Sequence, residues 1–447
     1  MNTSKIGNQP IWDVHSPAVA PRPPLDDDVE VDVVVVGGGL IGLCAALAAA
    51  EAGARTLLLE KDRLGAGSSG RNSGFVAPAL RPLPGHRKVA DFYGDTAASR
   101  FQAILESAGE VVFSTISRHG LNVPVSSAGW IAAAHNRAER DRLRRIKTPT
   151  DTELDAGEIH ELTGIPGWSG GVLCNSGGAI DPKAYVLGLA EAAERAGASV
   201  FETSAVVSLG AVPGGVELRC RGRRVAARQV ILATNGQGNL NPHLSQSLLV
   251  LRPYQVVTRV LPIDLQRVIL PGGHVVTDTR RNSLAFRWTP DGRLLTGGFI
   301  GPSLRPRRAA AEFFTRRIKS AIAEGAGRAN VPLADFHADH IWSGPISLTA
   351  SGLPVLHQPS PAVTEIVACN GRGIALGTAL GLKVGEVVAK SVLRGVRLDP
   401  DALPVPFSEP ARAWLRPFAG IGSQLRVPLA QWLDRRDQYH GRAKHGR

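Results

Sequence analysis

The stretch Val33-Val34-Val35-Val36-Gly37-Gly38-Gly39-Leu40-Ile41-Gly42 decides the fold. Four β-branched residues in a row are typical of a parallel strand that is buried on both faces. Residues 40–52 then have the composition of a helix, which Gly53 can end. Residues 56–60 predict a second strand, so the three glycines lie at the strand-to-helix turn of a βαβ unit of about 30 residues.

The glycine turn fits the pattern G-x-G-x-x-G in the position that a dinucleotide site requires. Gly37 permits a tight turn, Gly39 lets the backbone approach a pyrophosphate, and Gly42 brings helix and strand close together. The helix N-terminus adds amide donors and a favourable dipole. Glu60, at the end of the second strand, can accept hydrogen bonds from ribose hydroxyls. The turn therefore predicts a dinucleotide, and Glu60 disfavours NADP because it would repel a 2′-phosphate.

A long polar loop, Gly65-Ala66-Gly67-Ser68-Ser69-Gly70-Arg71-Asn72-Ser73-Gly74, favours FAD over NAD. It is too rich in glycine for an ordinary sheet connection and suits a ligand wrapped by backbone amides. With this loop the sequence resembles the D-amino-acid-oxidase-like family of FAD-dependent oxidoreductases. The resemblance is to the branch of gamma-glutamylputrescine oxidoreductases and glycine and sarcosine oxidases. That branch has Ser-Gly-Arg-Asn-Gly-Gly here, and in this chain Ser73 takes the fifth position.

The resemblance covers most of the chain, in order. The other similar stretches are residues 20–23, 231–236, 291–298, 342–344, 353–355 and 368–376. The last resembles the family's Gly-x-Ser-Gly-His-Gly turn but has Ala368 for a glycine and Arg372 for the histidine. A helix N-terminus at this turn can stabilise negative charge on a reduced flavin. Because residues 342–351 contain no cysteine, the resemblance implies FAD that is bound non-covalently.

The predicted fold class is α/β, with a discontinuous Rossmann-type FAD-binding domain and an antiparallel-sheet α+β substrate domain. A chain of 447 residues is too long for one compact core, which agrees with two domains. Strands are predicted at residues 255–261, 283–288 and 293–298, and a helix at residues 374–393. The predicted segments are an N-terminal arm (1–28), FAD-domain parts (29–84, 178–247, 348–396), substrate-domain parts (85–177, 248–347) and a helical, basic C-terminal tail (397–447). The proline-rich arm is expected to be extended over the surface.

The predicted cofactor-binding residues come from the motifs and from the resemblance. They are Gly37, Gly39, Leu40, Ile41, Gly42, Glu60, Lys61, Ser68, Ser69, Arg71, Asn72, Ser73, Val206, Ala233, Thr234, Gly236, Gly371, Arg372, Gly373, Ile374 and Ala375.

Substrate contacts are harder to find in the sequence. Arg287 resembles an arginine of the branch and suits a carboxylate, although a surface position on its strand is an equal alternative. Tyr254 and Trp342 are further candidates, but aromatic residues on strands are more often core. Arg372 could stabilise reduced flavin, bind a substrate carboxylate or pair with an acid. No histidine has metal-ligand spacing, so no metal is expected.

Composition excludes several classes of protein. The net charge is +12, from 51 Lys and Arg against 39 Asp and Glu, but the basic residues are scattered and no nucleic-acid-binding signature accompanies them. The four cysteines are far apart, which predicts neither a zinc site nor disulfides and fits a reducing cytoplasm. Residues 33–50 are apolar but broken by glycines, so no transmembrane segment is expected. For the tail, docking on the protein is favoured over peripheral membrane contact.

These observations predict oxidation of a carbon–nitrogen bond in a small amine or amino acid. Hydride would pass to the flavin N5 atom, the imine would hydrolyse, and electrons would pass to O2, giving H2O2. Residues 293–296 lack the lysine that promotes reaction with oxygen in sarcosine oxidases. A dehydrogenase that passes electrons to a quinone or carrier is therefore an alternative, and a non-catalytic FAD-binding subunit is another.

Overall fold

The computed structural model describes residues 7, 9–16, 19–77, 86–235, 238, 240–299, 307–367 and 370–409. The helices within these ranges are α1 (Ile11–His15), α2 (Leu40–Glu51), α3 (His86–Tyr93), α4 (Asp95–Arg118), α5 (Arg137–Ile146), α6 (Ala156–Thr163), α7 (Pro182–Arg195), α8 (Pro242–Gln246), α9 (Ile263–Gln266), α10 (Arg307–Arg328) and α11 (Ala375–Arg394). Short 3-10 helices lie at Ser68–Gly70, Leu333–Asp335 and Pro400–Ala402.

The strands of the same ranges belong to two large sheets and two small ones. They are β1 (Val29–Val36), β2 (Thr56–Leu59), β3 (Phe75–Val76), β4 (Val125–Ser126), β5 (Trp130–Ala133), β6 (Thr152–Leu154), β7 (Gly171–Cys174), β8 (Gly178–Ile180), β9 (Ser199–Phe201), β10 (Val206–Val212), β11 (Gly215–Cys220), β12 (Arg223–Leu232), β13 (Leu249–Leu251), β14 (Tyr254–Val260), β15 (Val275–Asp278), β16 (Ala285–Trp288), β17 (Arg293–Gly298), β18 (Ala338–Ser343), β19 (Ile346–Leu348), β20 (Val355–Ser360) and β21 (Val363–Val367).

The first large sheet is the Rossmann-type sheet that the sequence predicts. Its parallel part has the order β21-β12-β1-β2-β9, with Val33 opposite both Thr56 and Gln229. The antiparallel strands β10 and β11 continue from the first half of β12, and β20 pairs with β21. These strands come from three separated stretches of the chain, as a discontinuous domain requires.

Helices α2 and α11 pack on this sheet, and they approach each other closely enough for their backbones to touch. Residues 40–50 are all buried, so α2 has no solvent face. A Cβ atom on Gly381 would lie 2.5 Å from the Ile41 carbonyl oxygen, and one on Gly385 would lie 2.2 Å from that of Ala45. Because both contacts advance by four residues, the two helices run in the same direction, and both N-termini lie at the same end.

The second large sheet has the order β18-β14-β17-β16-β15-β5-β7-β6. All its pairs are antiparallel except β5 with β15, where Trp130 lies opposite Val275. Helix α10 covers part of this sheet with the buried side chains of Phe314, Ile318 and Ile322. The predicted antiparallel sheet is therefore present, with one parallel pair where two distant stretches meet.

The N-terminal arm differs from its prediction. Residues 20–26 are irregular, but residues 11–15 form helix α1, and Ile11 and Trp12 have no exposed surface. Both side chains pack with Trp342 against the second sheet. The arm is therefore extended only in part, because a tryptophan of this size gains most when it enters the core.

Only the start of the C-terminal tail lies within the described residues, up to residue 409. Leu403 and Val405 are buried there. The predictions for residues 410–447 lie outside the described residues. No helix in the described ranges is both long enough and apolar enough to cross a membrane.

Candidate active site

A cavity of about 1410 Å³ is lined by residues of both large sheets. One end is formed by the turn after β1, the end of β2 and the loop that follows it. The other end is formed by α5, β5 and the residues between β15 and β16. We call these the FAD end and the substrate end; the names rest on the geometry and the comparisons below.

The glycine turn at the FAD end has the geometry of a phosphate-binding turn. Gly37 has a φ of +110°, and a Cβ atom on Gly42 would lie 1.9 Å from the Gly37 carbonyl oxygen. Gly39 meets only the Ser69 hydroxyl, at 3.1 Å from an added Cβ atom. The turn thus leaves backbone open to the cavity at the N-terminus of α2, where amide donors and the helix dipole favour an anion. These residues fit a pyrophosphate.

Glu60 closes the same end of the cavity. One of its carboxylate oxygens accepts a hydrogen bond from the Gly38 amide at 2.7 Å, and the other accepts one from the Asp62 amide at 2.9 Å. Each oxygen has a further acceptor position. Glu60 can therefore receive ribose hydroxyls while the backbone holds it in place.

The loop after β2 ties the FAD end to the second sheet. The Ser69 hydroxyl accepts a hydrogen bond from the Leu40 amide at 3.0 Å, which attaches the loop to the start of α2. The Arg71 guanidinium donates to the Ser343 carbonyl at 3.0 Å, at the end of β18. The Asn72 side chain donates to the Ser69 carbonyl at 2.8 Å. The loop is thus fixed by both sheets and by itself.

The start of α11 is the second helix N-terminus at the cavity. Residues 370–374 line it, and Gly371 has a φ of +81°. At this end of the helix the Leu376 amide donates to the Arg372 carbonyl. The N-terminus of a helix carries the positive end of its dipole. This end suits a ring that becomes negatively charged on reduction.

Most of the predicted cofactor residues line this one cavity. Those that do are Gly37, Gly39, Leu40, Ile41, Glu60, Lys61, Ser68, Ser69, Arg71, Asn72, Ser73, Val206, Ala233, Thr234, Gly371, Arg372, Gly373 and Ile374. Gly42 and Ala375 lie behind the lining, in α2 and α11. Gly236 lies outside the described residues.

Of the four substrate candidates, Arg372 alone lies in the lining. Arg287 is neither a surface residue nor a cavity residue: it is 3% exposed, and its guanidinium donates to the carbonyls of Ser73, Gly74 and Ile180 at 2.7 to 3.1 Å. Burial lowers the pKa of Arg287 to about 10, and a nearby carboxylate, Asp181, opposes this shift. The geometry gives Arg287 backbone partners instead of a substrate carboxylate.

The two aromatic candidates also lie behind the lining. Trp342 is 2% exposed and donates its indole N–H to the Arg71 carbonyl at 2.8 Å. Tyr254 lies on β14, opposite Gly298 on one side and Ser343 on the other. Both therefore support residues near the cavity and do not line it.

The substrate end contains polar residues that the sequence analysis did not single out. His135 Nδ1 lies 2.8 Å from the Thr279 hydroxyl, and the Asn136 side-chain amide lies 2.9 Å from His135 Nε2. The Asn136 side chain also caps α5 by accepting from the Glu139 amide at 2.9 Å. The helix cap is a local signal, but the partner of His135 lies 144 positions away in sequence, so only the fold brings the group together.

Charged side chains complete the substrate end. Asp278, which is buried, forms an ion pair with Arg280 and accepts from the Leu284 amide at 2.8 Å. On α5, Glu139 and Arg142 pair at 2.7 Å and both line the cavity. Acidic and basic groups thus stand close together, an arrangement suited to a substrate with both kinds of charge.

A family model described as FAD dependent oxidoreductase matches residues 32–387. The chain belongs to this family. Its cofactor is therefore FAD, as the cradle of amides, glycines and Glu60 independently supports, and it is an enzyme of the oxidoreductase class.

Individual relatives give the same picture. The chain is 27% identical to a gamma-glutamylputrescine oxidoreductase of Escherichia coli over 419 residues, 92% of each protein. It is 28% identical to the probable oxidoreductase OrdL of Rhizobium meliloti over 367 residues, 80% of this chain and 83% of that one. The solved glycine oxidase of Geobacillus kaustophilus superposes with a TM-score of 0.64 at 21% identity, covering 81% of this chain and 95% of that one. The predicted fold class is confirmed.

Proposed function

We propose that this enzyme oxidises a carbon–nitrogen bond in a small amine or amino acid. The observation that carries the proposal is the continuous cavity, in which the FAD loop leads directly to the charged groups of α5 and of residues 278–282. A site for a neutral alcohol would not need paired acidic and basic side chains. The names of the relatives, a gamma-glutamylputrescine oxidoreductase and a glycine oxidase, support a nitrogen substrate.

In the proposed reaction the substrate carbon next to nitrogen gives up a hydride, the nitrogen gives up a proton, and the imine reacts with water to form a carbonyl compound and an amine. Bound FAD supplies the two-electron acceptor. An amine must be unprotonated to react, and His135, whose ring is held by Thr279 and Asn136, is a polar group in the lining of the same cavity. Arg142 and Arg280 are suited to orient a substrate carboxylate.

The test is an anaerobic titration of the FAD-loaded protein with primary amines, secondary amines and amino acids. We expect at least one of them to bleach the flavin band at about 450 nm. The matched control is the 2-hydroxy acid with the same side chain, which keeps the carboxylate and lacks the nitrogen. Bleaching by hydroxy acids alone would contradict the proposal.

For the electron acceptor we propose O2, with H2O2 as product. A dehydrogenase is the second candidate, because Lys61 is the one lysine among the described lining residues and it lies beside Glu60, at the FAD end. Admitting air to the bleached enzyme separates the two. Rapid return of the band with release of peroxide supports an oxidase, whereas a band that returns only with a quinone or a carrier protein supports the dehydrogenase.

We further propose that the enzyme works in the cytoplasm. Cys44, Cys174 and Cys220 are buried free thiols, and burial raises the pKa of Cys44 to about 12. Such thiols are typical of a reducing compartment. Cell fractionation with an activity assay tests the location, and recovery of the activity outside the cytoplasm would contradict it.

A further inference from the structure

Two buried tryptophans hold consecutive carbonyls of the FAD loop. The indole N–H of Trp342 donates to the Arg71 carbonyl, and that of Trp12 donates to the Asn72 carbonyl, each at 2.8 Å. Trp12 comes from α1 in the N-terminal arm, and Trp342 comes from β18. The two rings meet edge to face, with centroids 6.2 Å apart and planes at 81°. The loop is therefore held by hydrogen bonds from two parts of the chain that are distant in sequence.

Arg287 continues this row of bonds. Its guanidinium donates to the Ser73 and Gly74 carbonyls, both at 3.1 Å, and also to the Ile180 carbonyl at 2.7 Å. Its Cζ atom lies 5.3 Å from the centroid of the Trp12 ring, a cation–π contact. Four successive carbonyls, from residue 71 to residue 74, thus accept hydrogen bonds from three side chains, and Trp12 contacts the other two. We call Trp12, Trp342 and Arg287 the carbonyl clamp.

The clamp lies behind the lining of the cavity. Its three side chains are at most 3% exposed, and none of them lines the cavity. Arg71, Asn72 and Ser73 themselves line it. The clamp therefore turns the carbonyl edge of the loop away from the cavity and leaves the other groups of the loop to face the FAD.

We propose that Trp12, Trp342 and Arg287 are positioning residues that fix the loop of residues 71–74 for FAD, so that the N-terminal arm is a working part of the cofactor site. A buried carbonyl that loses its donor relaxes toward another partner, and the loop moves with it. FAD then has to restore the loop when it binds. The proposal concerns cofactor binding alone, so it stands or fails independently of the substrate.

Phenylalanine substitutions test the proposal because they keep an aromatic ring and remove the N–H. We expect Trp12→Phe and Trp342→Phe each to raise the dissociation constant for FAD by about 10-fold, the factor that corresponds to one lost hydrogen bond to a buried carbonyl. We also expect both to change the visible circular dichroism of the bound flavin. Titration of the apoprotein with FAD, followed by flavin fluorescence, gives the dissociation constant without any turnover.

Trp288→Phe is the matched control. Trp288 also donates its indole N–H to a backbone carbonyl, that of Ile269 at 2.7 Å, but this bond lies away from the FAD loop. The Trp288→Phe variant should lower the melting temperature of the apoprotein by about as much as the clamp variants do. It should leave the FAD affinity and the visible circular dichroism of the bound flavin unchanged. The proposal is overturned if both clamp variants bind FAD like the wild type, or if Trp288→Phe weakens FAD equally.

A double variant guards against a general loss of folding. If Trp12 and Trp342 act on one loop, the combined variant should weaken FAD by less than the product of the two single factors. Trp12→Phe combined with Trp288→Phe should give the product. If the factors of the single variants multiplied in both double variants, Trp12 and Trp342 would not act on one loop, and the proposal of a shared clamp would be overturned.

Discussion

The FAD end of the cavity depends mainly on backbone amides and glycines, whereas the substrate end depends on side chains. The turn of residues 37–42 and the start of α11 offer amides and glycines, and Glu60 is itself held by amides. His135 is instead held by the Thr279 side chain from a distant part of the chain, and Asp278 is held by Arg280. The difference teaches that the first end depends on close backbone packing at Gly37 and Gly42, and that the second can change its chemistry one side chain at a time.

The largest effect is expected from Gly42→Ala. The added methyl would lie 1.9 Å from the Gly37 carbonyl oxygen, so α2 or the turn has to move. Overpacking of this kind costs up to about 3 kcal/mol. We therefore expect FAD affinity to fall by about 100-fold, measured by titration of the apoprotein.

Gly327→Ala is the control for that variant. Gly327 also lies in a helix, α10, but an added Cβ atom there meets nothing within 4 Å. Alanine favours a helix over glycine by about 0.5 to 1 kcal/mol, so this variant should bind FAD normally and be slightly more stable. If Gly42→Ala behaved like Gly327→Ala, close backbone packing would not be what the FAD end depends on.

Gly385→Ala should have the next largest effect. Its methyl would lie 2.2 Å from the Ala45 carbonyl oxygen, where α11 crosses α2. The helices would separate, which displaces the N-terminus of α11 from the flavin but leaves the turn of residues 37–42 intact. We expect a stability loss of about 2 kcal/mol in urea unfolding and about 10-fold weaker FAD. If stability fell while FAD affinity stayed unchanged, the close packing of α11 on α2 would not be required for cofactor binding.

The FAD end could be predicted because its signals are local in sequence. The helix expected at residues 40–52 is Leu40–Glu51, and the strand expected at residues 56–60 is Thr56–Leu59. The helix expected at residues 374–393 is Ala375–Arg394. Both helices depend on a largely apolar run bounded by glycine, and the strand depends on a short apolar run; such signals lie within a few neighbouring residues.

The substrate end and the arm could not be predicted in the same way. His135 meets Thr279 only because β5 and β15 are neighbours, and that pairing is a property of the whole sheet. Trp12 stands alone in a proline-rich segment, so no periodicity shows that it is buried. Arg287 was considered for a substrate carboxylate on its charge, but its partners are backbone carbonyls, which have no sequence signature.

Arg142→Gln tests the substrate end. Arg142 lines the cavity, and its loss should raise KM for the preferred amino acid by about 10-fold, the effect of one charge-assisted hydrogen bond. FAD affinity should not change, since Arg142 lies at the substrate end of the cavity. Steady-state kinetics and FAD titration on the same preparations measure both.

Arg144→Gln is the matched control on the same helix. Arg144 pairs with Glu153 at 2.6 Å, is about half exposed, and does not line the cavity. It removes the same charge, so any general electrostatic attraction of the substrate would appear in both variants. Equal rises in KM would mean that Arg142 acts through the overall charge and does not contact the substrate.

The smallest effect concerns two buried carboxyl groups with different partners. Asp278 at the substrate end is paired with a cation, Arg280, whereas Glu365 on β21 receives a hydrogen bond from the neutral amide of Asn241 at 2.7 Å. Burial raises the pKa of Glu365 from 4.5 to about 7, and the bond from Asn241 opposes part of this rise. Between pH 4.5 and about pH 7, Glu365 holds a proton in the folded protein that it has lost in the unfolded chain. Glu365 therefore stabilises the fold at low pH, and this contribution is lost as the pH rises toward 7.

Glu365→Gln should therefore remove the pH dependence that Glu365 gives to the free energy of unfolding. It should keep the hydrogen bond from Asn241, because glutamine has a side-chain oxygen that can accept it. In urea unfolding at pH 5 and pH 7.5, the wild type should lose more stability on going to the higher pH than the variant does. His357, 3.8 Å from the Glu365 carboxylate, has its own pKa lowered by burial, but it is present in both proteins, so the difference between them isolates Glu365. Identical pH dependence in the two proteins would show that Glu365 is ionised in the fold, and that β21 carries a buried charge beside His357.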